Sequence, residues 1–254
     1  MHTGCSLRAP SVADYGAGVA TARLDLEDVT LREWEATVLL SGPDGIVLDR
    51  SAFYPGGGGQ PPDHGVLLWS GVQTRIVGAR KGDELYLLPA DGDPLPPAGT
   101  AVRGGLDDER RTALMRTHSA MHLLCGVVSR DYQVAVTGGS MDVLSGRMDF
   151  GLDTLPDGFL DAVQQACLTE IAADRRIEVV VLPYAEAMAG DIIKTATNLL
   201  PEGLETVRIV DIVGLDRQAD GGTHVGSTAF IGDMRLVKTE SKGKGFRRLR
   251  FALS

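Results

Sequence analysis

Cysteine is scarce in this sequence, and its distribution excludes a disulfide framework. The three cysteines among 254 residues are Cys5, Cys125 and Cys167, an odd number at wide separations. Small disulfide-rich domains carry even and closely spaced sets of cysteines. The pattern indicates a reducing compartment, and we expect a cytoplasmic location.

Long apolar runs are also absent. No stretch approaches the roughly 20 apolar residues of a transmembrane helix, and no basic segment followed by an apolar run marks a secretory signal. Hydrophobic residues make up 43% and charged residues 23%, which favours a packed core over disorder. We expect no membrane association, and the length allows one large domain or two ordinary ones.

Positive charge is in deficit over the chain as a whole, since the formal net charge is −9. Such a balance argues against a general nucleic-acid coat protein. Residues 236–254 differ, because they set six cations against the carboxylate of Glu240: Lys238, Lys242, Lys244, Arg247, Arg248 and Arg250. This basic segment predicts either a contact with a phosphate backbone or a solvated edge strand protected by its charges.

Short β-rich runs dominate residues 24–100, after a loose leader over residues 1–23. Turn residues separate the runs, which are Glu35–Leu40, Gly45–Asp49, Gly65–Trp69, Thr74–Val77 and Glu84–Leu88. Several short strands joined by turns predict a small β-barrel. The Pro-, Gly- and Asp-rich segment Pro89–Gly99 then predicts an interdomain linker.

A different pattern follows over residues 101–254. Asp107 or Asp108 can cap a helix that reaches Arg130, and a second helix is predicted over Gly158–Arg175. Strands are predicted at Ile177–Val181, Val207–Val213, Ala229–Ile231, Arg235–Val237 and Phe246–Phe251. The predicted fold class is α+β, with an N-terminal small β-barrel domain followed by an α+β domain.

Three of the five histidines stand in two distinctive patterns. His118 and His122 form an H-x-x-x-H pair in the first predicted helix, where residues four apart share one face. His224 closes the loop Asp220–His224, in which two glycines allow a tight turn. Three imidazoles brought together in this way are typical of catalytic zinc, which keeps three protein ligands and an open position.

Two questions about this site stay open. A histidine pair on an apolar helical stripe equally suits two hydrogen-bonded core residues, and it is the glycine loop that favours a metal. The fourth ligand is either Asp220, directly or through water, or Cys125, which shares the helical face. A buried cysteine is more often a small apolar side chain, so Asp220 is favoured.

Neighbouring polar residues have weaker claims. Ser119 adjoins His118, but adjacent residues on a helix point in different directions, which argues against a serine nucleophile paired with His118 or His122. Asp211 and Asp216 suit either a turn or a role in orienting metal-bound histidines. The glycine-rich stretch Phe53–Asp63 lacks the lysine and hydroxyl residue of a phosphate-binding loop.

Four sequence blocks resemble the editing half of alanyl-tRNA synthetase, and most of all the freestanding alanyl-tRNA editing proteins. They are the glycine-rich block Leu48–Gly65, the H-x-x-x-H block His118–Leu124, the block Asp220–Val225 and the basic block Glu240–Leu249. Their order and approximate spacing agree with the family from about Leu31 to Leu253. Four blocks in one order are specific, whereas each one alone would be weak.

The resemblance implies a zinc-binding α+β editing domain in which His118, His122 and His224 bind Zn²⁺. It also implies that the glycine-rich loop, with Gly57, Gly58, Gly59 and Gln60, helps to position either the editing domain or the tRNA acceptor end. From their charge, Lys242, Lys244, Arg247 and Arg248 of the basic segment are expected to contact the tRNA phosphates. The synthetase's aminoacylation domain has no counterpart, and no room follows for its C-terminal tRNA-binding domain. We therefore expect the protein to act in trans.

Two residues depart from the family pattern. The second zinc block commonly begins with cysteine, whereas this chain has Asp220, and a carboxylate there would weaken zinc binding or leave the histidines as the only ligands. Thr137 stands roughly where synthetase relatives carry a glutamine near the amino-acid pocket, and it could hydrogen-bond a serine hydroxyl. Asp220 and Thr137 are the predicted catalytic residues.

The resulting prediction is a zinc-dependent deacylase of mischarged tRNA(Ala), which removes chiefly serine and secondarily glycine. One alternative is a noncatalytic tRNA-binding module whose metal site has decayed through Asp220. The other is a metallohydrolase of small aminoacyl esters that needs no tRNA, which the basic segment disfavours.

Overall fold

The structure is a computed structural model that describes residues 21–190, 192, 200, 203–243 and 245–254. Its fold class is mixed α and β with a closed six-stranded barrel, as predicted. Residues 1–20 of the predicted leader lie outside the described residues. The end of the leader, Ala22–Arg23, pairs in parallel with Arg50–Ser51.

Helices and strands are numbered here in chain order within the described residues. The helices are α1 (Leu24–Glu27), α2 (Asp108–Tyr132), α3 (Phe159–Ala172) and α4 (Tyr184–Met188), with a 3₁₀ helix at Thr228–Ile231. The strands are β1 (Ala22–Arg23), β2 (Glu33–Gly42), β3 (Gly45–Leu48), β4 (Arg50–Ser51), β5 (Gly65–Trp69), β6 (Val72–Lys81), β7 (Leu85–Pro89), β8 (Ala101–Leu106), β9 (Val136–Asp142), β10 (Ser145–Phe150), β11 (Ile177–Pro183), β12 (Thr206–Ile212), β13 (Asp216–Ala219), β14 (Met234–Ser241) and β15 (Arg247–Leu253).

Contacts divide the chain into two units. Among the described residues, the first unit comprises residues 21–55 together with Pro62–Asp108, and the second comprises Gly56–Pro61 together with the described part of Glu109–Ser254. Both histidine patterns therefore belong to the second unit, and so does the tip of the glycine-rich loop, Gly57–Gly59.

The barrel of the first unit closes in the order β2-β3-β7-β6-β5-β8, with antiparallel pairs throughout. In β2, polar residues face solvent while Trp34, Ala36 and Val38 are buried. This alternation is expected of a strand with one solvent-exposed face. The Trp34 ring meets the Phe53 ring edge to face, with centroids 5.3 Å apart. Alternating apolar residues thus form the core inside the barrel.

Strand β8 shows that the prediction of an interdomain linker was wrong. It pairs with both β2 and β5 and so closes the barrel, which makes residues 90–100 a loop between two barrel strands. The sequence did not predict β8, because its two glycines are disfavoured in strands. Gly104 is needed for space, since a Cβ there would lie 2.4 Å from the Trp34 ring.

Helix α2 is the central element of the second unit, and its bounds confirm the first predicted helix. Its middle turns are buried on nearly every side, with Leu114, Leu123, Leu124, Val127 and Val128 fully inaccessible. A helix that is buried on nearly every side lies in the core. In the part of the chain that the structure describes, no helix is long and apolar enough to cross a membrane.

Two antiparallel sheets complete the second unit. One has the order β14-β15-β10-β9 and the other β11-β12-β13. Helix α3 is joined to β14 through Gln164, which donates to the Met234 carbonyl at 2.8 Å and accepts from the Leu236 N–H at 2.6 Å. The second predicted helix and the strands that correspond to β11, β12, β14 and β15 are confirmed.

The predicted strand Ala229–Ile231 was wrong, because these residues belong to the 3₁₀ helix. Thr228 anchors that turn: its hydroxyl donates to the Glu170 carbonyl at 2.7 Å and accepts from the Arg175 N–H at 2.9 Å. A short apolar run has no pattern strong enough to oppose such tertiary bonds. Strands β9 and β10 were not predicted.

Candidate metal centre

Helix α2 presents His118 and His122 one turn apart, as the H-x-x-x-H spacing predicted. The two residues are 2% and 6% exposed, and their ring centroids lie 5.2 Å apart. The loop after β13 brings His224 to the same place, with its centroid 4.5 Å from that of His118 and 4.7 Å from that of His122.

The loop that carries His224 passes very close to the helix. Oδ2 of Asp220 accepts a hydrogen bond from the Gly222 N–H at 2.6 Å, which closes the turn. A Cβ on Gly222 would lie 2.3 Å from Cε1 and Nδ1 of His118. Glycine is therefore required at position 222 by lack of space.

The carboxylate of Asp220 adds a fourth potential metal ligand to the three imidazoles. Its Oδ2 lies 3.1 Å from Nε2 of His224, and its Oδ1 lies 3.6 Å from Nε2 of His118. One ligand atom from each of His118, His122, Asp220 and His224 lies within 4.8 Å of the others. Cys125, the rival fourth ligand, is buried on α2 and is not a member of this cluster.

Burial shapes the charge state of the cluster. It lowers the pKa of His122, and burial together with the charge of His118 lowers the pKa of His224 well below its usual value. Burial alone would raise the pKa of Asp220, but the charge of His118 and the hydrogen bond with His224 outweigh it and bring that pKa well below its usual value. At neutral pH the site thus offers an ionised carboxylate and neutral imidazoles at His122 and His224.

Each imidazole also has an oxygen beside its Nδ1. The pairs are His118 with Gln60 Oε1 at 2.9 Å, His224 with Ser119 Oγ at 3.2 Å, and His122 with Asp216 Oδ2 at 3.7 Å. Of these, only the orienting role of Asp216 was among the sequence predictions. The first two pairs are 58 and 105 residues apart in the chain, so no local pattern could have revealed them.

Other predicted residues lie apart from these bonds. Thr137 is exposed on β9, and its predicted catalytic role stays a prediction. Asp211 lies 3.5 Å from the Arg217 guanidinium on the neighbouring strand, in place of a histidine. Ser119 contacts His224 and not the two helical histidines, which agrees with the argument against a serine nucleophile paired with them.

The glycine-rich loop reaches the cluster through its tip. Gly57–Gly59 are exposed and have positive φ angles, and mutual backbone hydrogen bonds of 3.1 and 2.9 Å join Gly57 to Gln60. A Cβ on Gly58 would lie 3.4 Å from Oδ1 of Asp220, which is the most exposed of the four donors. The Gln60 residue is buried, at 3% exposure.

The predicted phosphate contacts of the basic segment differ in their surroundings. The Arg248 guanidinium forms two hydrogen bonds to the Asp149 carboxylate, at 2.6 and 2.7 Å, and its side chain is 11% exposed. Arg247 donates to backbone carbonyls, including that of Phe246 at 3.0 Å, and Lys242 is exposed. Lys244 lies outside the described residues.

The four donors suit a divalent metal ion. Neutral imidazole is the form of histidine that binds metals, and three nitrogens with one carboxylate oxygen match the ligands of zinc. Other first-row metals accept the same ligand types. His122 leaves its buried Nδ1 without a hydrogen bond among the described residues, which is unlike a core histidine held by hydrogen bonds.

Comparison with known proteins places the chain among its relatives. It is 32% identical over 235 residues to the alanyl-tRNA editing protein AlaX-M of Saccharolobus solfataricus, across 92% of this chain and 99% of that protein. The chain belongs to the family of alanyl-tRNA editing proteins. AlaX-M of Methanosarcina acetivorans is also 32% identical, over 89% of this chain and 96% of its own length. The family membership confirms the resemblance seen in the four sequence blocks.

Two further matches relate this editing family to synthetases. Residues 207–250 match the family model described as the threonyl and alanyl tRNA synthetase second additional domain. The alanine–tRNA ligase of Pyrococcus furiosus is 32% identical over 238 residues, which is 91% of this chain and 26% of the ligase. The matched residues 207–250 include Asp220 and His224 of the cluster.

Proposed function

We propose that the protein is a trans-editing hydrolase that cleaves the aminoacyl ester of mischarged tRNA(Ala), chiefly Ser-tRNA(Ala) and secondarily Gly-tRNA(Ala), with Zn²⁺ as its cofactor. The observation that carries this proposal is the buried cluster of three imidazoles and one carboxylate in a member of the alanyl-tRNA editing family. Hydrolytic zinc sites use the same kinds of ligand.

In this mechanism His118, His122 and His224 hold the metal ion, and Asp220 is the fourth donor. A bound zinc ion supplies a Lewis acid that polarises the ester carbonyl and lowers the pKa of water. The protein's own groups set the geometry: α2 spaces two imidazoles by one turn, and the Asp220–Gly222 hydrogen bond shapes the loop that carries the third. Burial of the rings limits competing hydration of the ligands.

The proposed substrate follows from the limits of selection by size. A binding pocket for alanine rejects glycine, which lacks one methyl group, and serine, which adds one hydroxyl, by only about 1–3 kcal/mol. A second site that hydrolyses the wrong product is therefore needed. Thr137 is our proposed contact for the serine hydroxyl, and the tip Gly57–Gly59 is our proposed contact for the tRNA acceptor end, because it is exposed beside Asp220.

The deciding experiment measures deacylation of Ser-tRNA(Ala), Gly-tRNA(Ala), Ala-tRNA(Ala) and Thr-tRNA(Thr) by the purified protein. Each assay is run as prepared, after exhaustive chelation with the metal content measured, and after reloading with Zn²⁺. We expect fast loss of serine, slower loss of glycine, little loss of alanine, and recovery of activity on reloading.

The alternatives give different results in the same experiment. A zinc-loaded protein that binds tRNA but deacylates none of the substrates would be the noncatalytic binding module. Hydrolysis of small aminoacyl esters that is insensitive to uncharged tRNA as competitor would indicate the small-ester hydrolase. Full activity in a sample shown to contain no metal would refute the metal mechanism.

The basic segment gives a separate prediction about tRNA affinity. Replacing Lys242 and Arg247 with alanine is expected to weaken tRNA binding about tenfold at moderate salt and to reduce the slope of log K against log salt by about 1 to 2. Both side chains bear charges that are not paired with a carboxylate in the described structure. Binding titrations over a salt series measure the slope, and an unchanged slope would remove this segment from the interface.

Arg248→Ala is the matched comparison, because it removes an adjacent predicted phosphate contact whose charge is already paired with Asp149. It should lower the free energy of unfolding by about 2 kcal/mol, the order expected for hydrogen bonds to a charged group, with little change in the slope. Since the Arg248 hydrogen bond lowers the pKa of Asp149, this stabilisation is present above pH about 4 and is lost as the pH falls through the lowered pKa. Denaturant titrations at several pH values test this.

A further inference from the structure

We infer that Gln60, in the glycine-rich loop, is a positioning residue for the metal centre: it holds His118 as the tautomer with hydrogen on Nδ1 and so frees Nε2 for the metal ion. This inference rests on the proposed metal site and deepens it, because it assigns the loop a role in building the site beside any contact with tRNA. It rests on a network of three hydrogen bonds among Gln60, His118 and Thr223.

The orientation of the Gln60 amide is set by its neighbours. Oε1 accepts a hydrogen bond from the Thr223 backbone N–H at 3.0 Å, and Nε2 donates to the Thr223 hydroxyl at 2.8 Å. A backbone N–H can only donate, so the opposite orientation of the amide would place two donors against each other. The atom that faces His118 is therefore the oxygen.

An oxygen at this position selects the protonation of the imidazole. Nδ1 of His118 lies 2.9 Å from Oε1 of Gln60, and a carbonyl-type oxygen requires Nδ1 to be the donor. In the neutral ring the other nitrogen, Nε2, then carries the lone pair. Nε2 faces the cluster, 3.6 Å from Oδ1 of Asp220, which is where a ligand atom must be.

The same network determines where the ring stands. Gln60, His118 and Thr223 are each at most 3% exposed, so water does not compete with these bonds. The loop that bears Gln60 is itself held, by the backbone bonds between Gly57 and Gln60 and by the Gly59 carbonyl, which accepts from the Met141 N–H at 3.4 Å. The backbone of Gln60 is therefore held by the loop, and its side-chain amide is held by Thr223.

The three histidines do not receive equal support. His118 has a buried amide oxygen at hydrogen-bond distance, whereas Asp216 stands 3.7 Å from His122. Ser119 meets His224 at 3.2 Å, but a hydroxyl rotates and can either donate or accept. Gln60 is thus the partner that imposes a tautomer most firmly. Outer partners of ligating histidines commonly change metal affinity by about 10- to 100-fold.

The experiment compares Gln60→Leu, which removes the acceptor, with Gln60→Glu, whose carboxylate oxygens can accept from both the Thr223 N–H and Nδ1 of His118. Thr223→Val is the matched control, since it deletes the hydroxyl but keeps the backbone N–H. Two measurements are made on the full chain. Competition with a chromophoric chelator gives the affinity for Zn²⁺. Long-range ¹H–¹⁵N spectra of the metal-free protein, recorded at a pH at which the His118 ring is neutral, give the tautomer of His118, assigned with His118→Ala.

We expect Gln60→Leu to weaken Zn²⁺ binding about 10- to 100-fold and to lose the Nδ1-protonated form of His118. Gln60→Glu should restore both, and Thr223→Val should change the affinity less than Gln60→Leu does. An unchanged affinity and an unchanged tautomer in Gln60→Leu would overturn the inference. If Gln60→Leu does not fold, loss of the Nδ1-protonated form in Gln60→Glu overturns it.

Failure of the proposed function would look different. A zinc-binding protein without deacylase activity would refute the editing proposal, yet the tautomer and the affinity series would still report on Gln60. Conversely, an active enzyme in which Gln60→Leu changes neither the Zn²⁺ affinity nor the His118 tautomer would refute only the positioning role.

Discussion

Gly222→Ala is expected to abolish zinc binding and deacylation while leaving most of the fold intact. The added methyl group would lie 2.3 Å from the His118 ring and 2.9 Å from Oε1 of Gln60. Both distances are far inside van der Waals contact, and both atoms belong to buried groups. Either the loop that carries Asp220 and His224 must move away from α2, or the His118 side chain must adopt another rotamer. Each change would separate the four candidate metal ligands.

Gly221→Ala provides a matched control within the same loop. A Cβ there meets nothing within 4 Å, so the same chemical change should preserve metal binding and activity. Zinc content, measured together with the initial rate of Ser-tRNA(Ala) deacylation, compares the two variants. Equal metal content and equal activity in both variants would mean that the close approach of the loop to His118 is not needed.

Removal of single imidazoles should have a comparably large effect. His118→Ala and His224→Ala are each expected to reduce deacylation by about a thousandfold, or about 4 kcal/mol of transition-state stabilisation, because a metal site supplies several kcal/mol. Metal content should fall below one ion per chain. Because both rings lie in a buried cluster, circular dichroism and thermal unfolding must show that the variants remain folded.

Cys125→Ala separates the two ligand choices left open by the sequence. This residue is buried on α2 but outside the cluster of four donors, so the change should reduce stability modestly and leave zinc content and rate near the wild-type values. Loss of zinc in Cys125→Ala would identify the thiol as a ligand. Wild-type deacylation in a folded protein that lacks both His118 and His224 would contradict the metal mechanism altogether.

Sequence patterns predicted those elements whose signal is local. The alternation of polar and buried residues in β2 indicated a barrel strand, and the apolar periodicity of α2 indicated a helix with His118 and His122 on one face. The glycine loop before His224 suggested the third imidazole because its motif is short and contiguous.

Elements whose formation depends on distant partners were missed or wrong. β8 and β9 contain adjacent glycines and gain their stability from pairing with other strands. Residues 229–231 form a 3₁₀ turn because Thr228 is held by Glu170 and Arg175. The pairing of Arg248 with Asp149 across β10 and β15 could not be read from the basic segment alone, and the phosphate contact expected of Arg248 stays a prediction.

The sequence by itself determined the fold class and the family and predicted the residues of the candidate site, because hydrophobic periodicity and short motifs act between residues that are near in the chain. The tertiary structure decided which atoms meet: Gln60 with His118, Ser119 with His224, and Gly222 against the His118 ring. These contacts join segments separated by many residues and depend on differences of a few tenths of an ångström. Only packing of the complete second unit sets such distances.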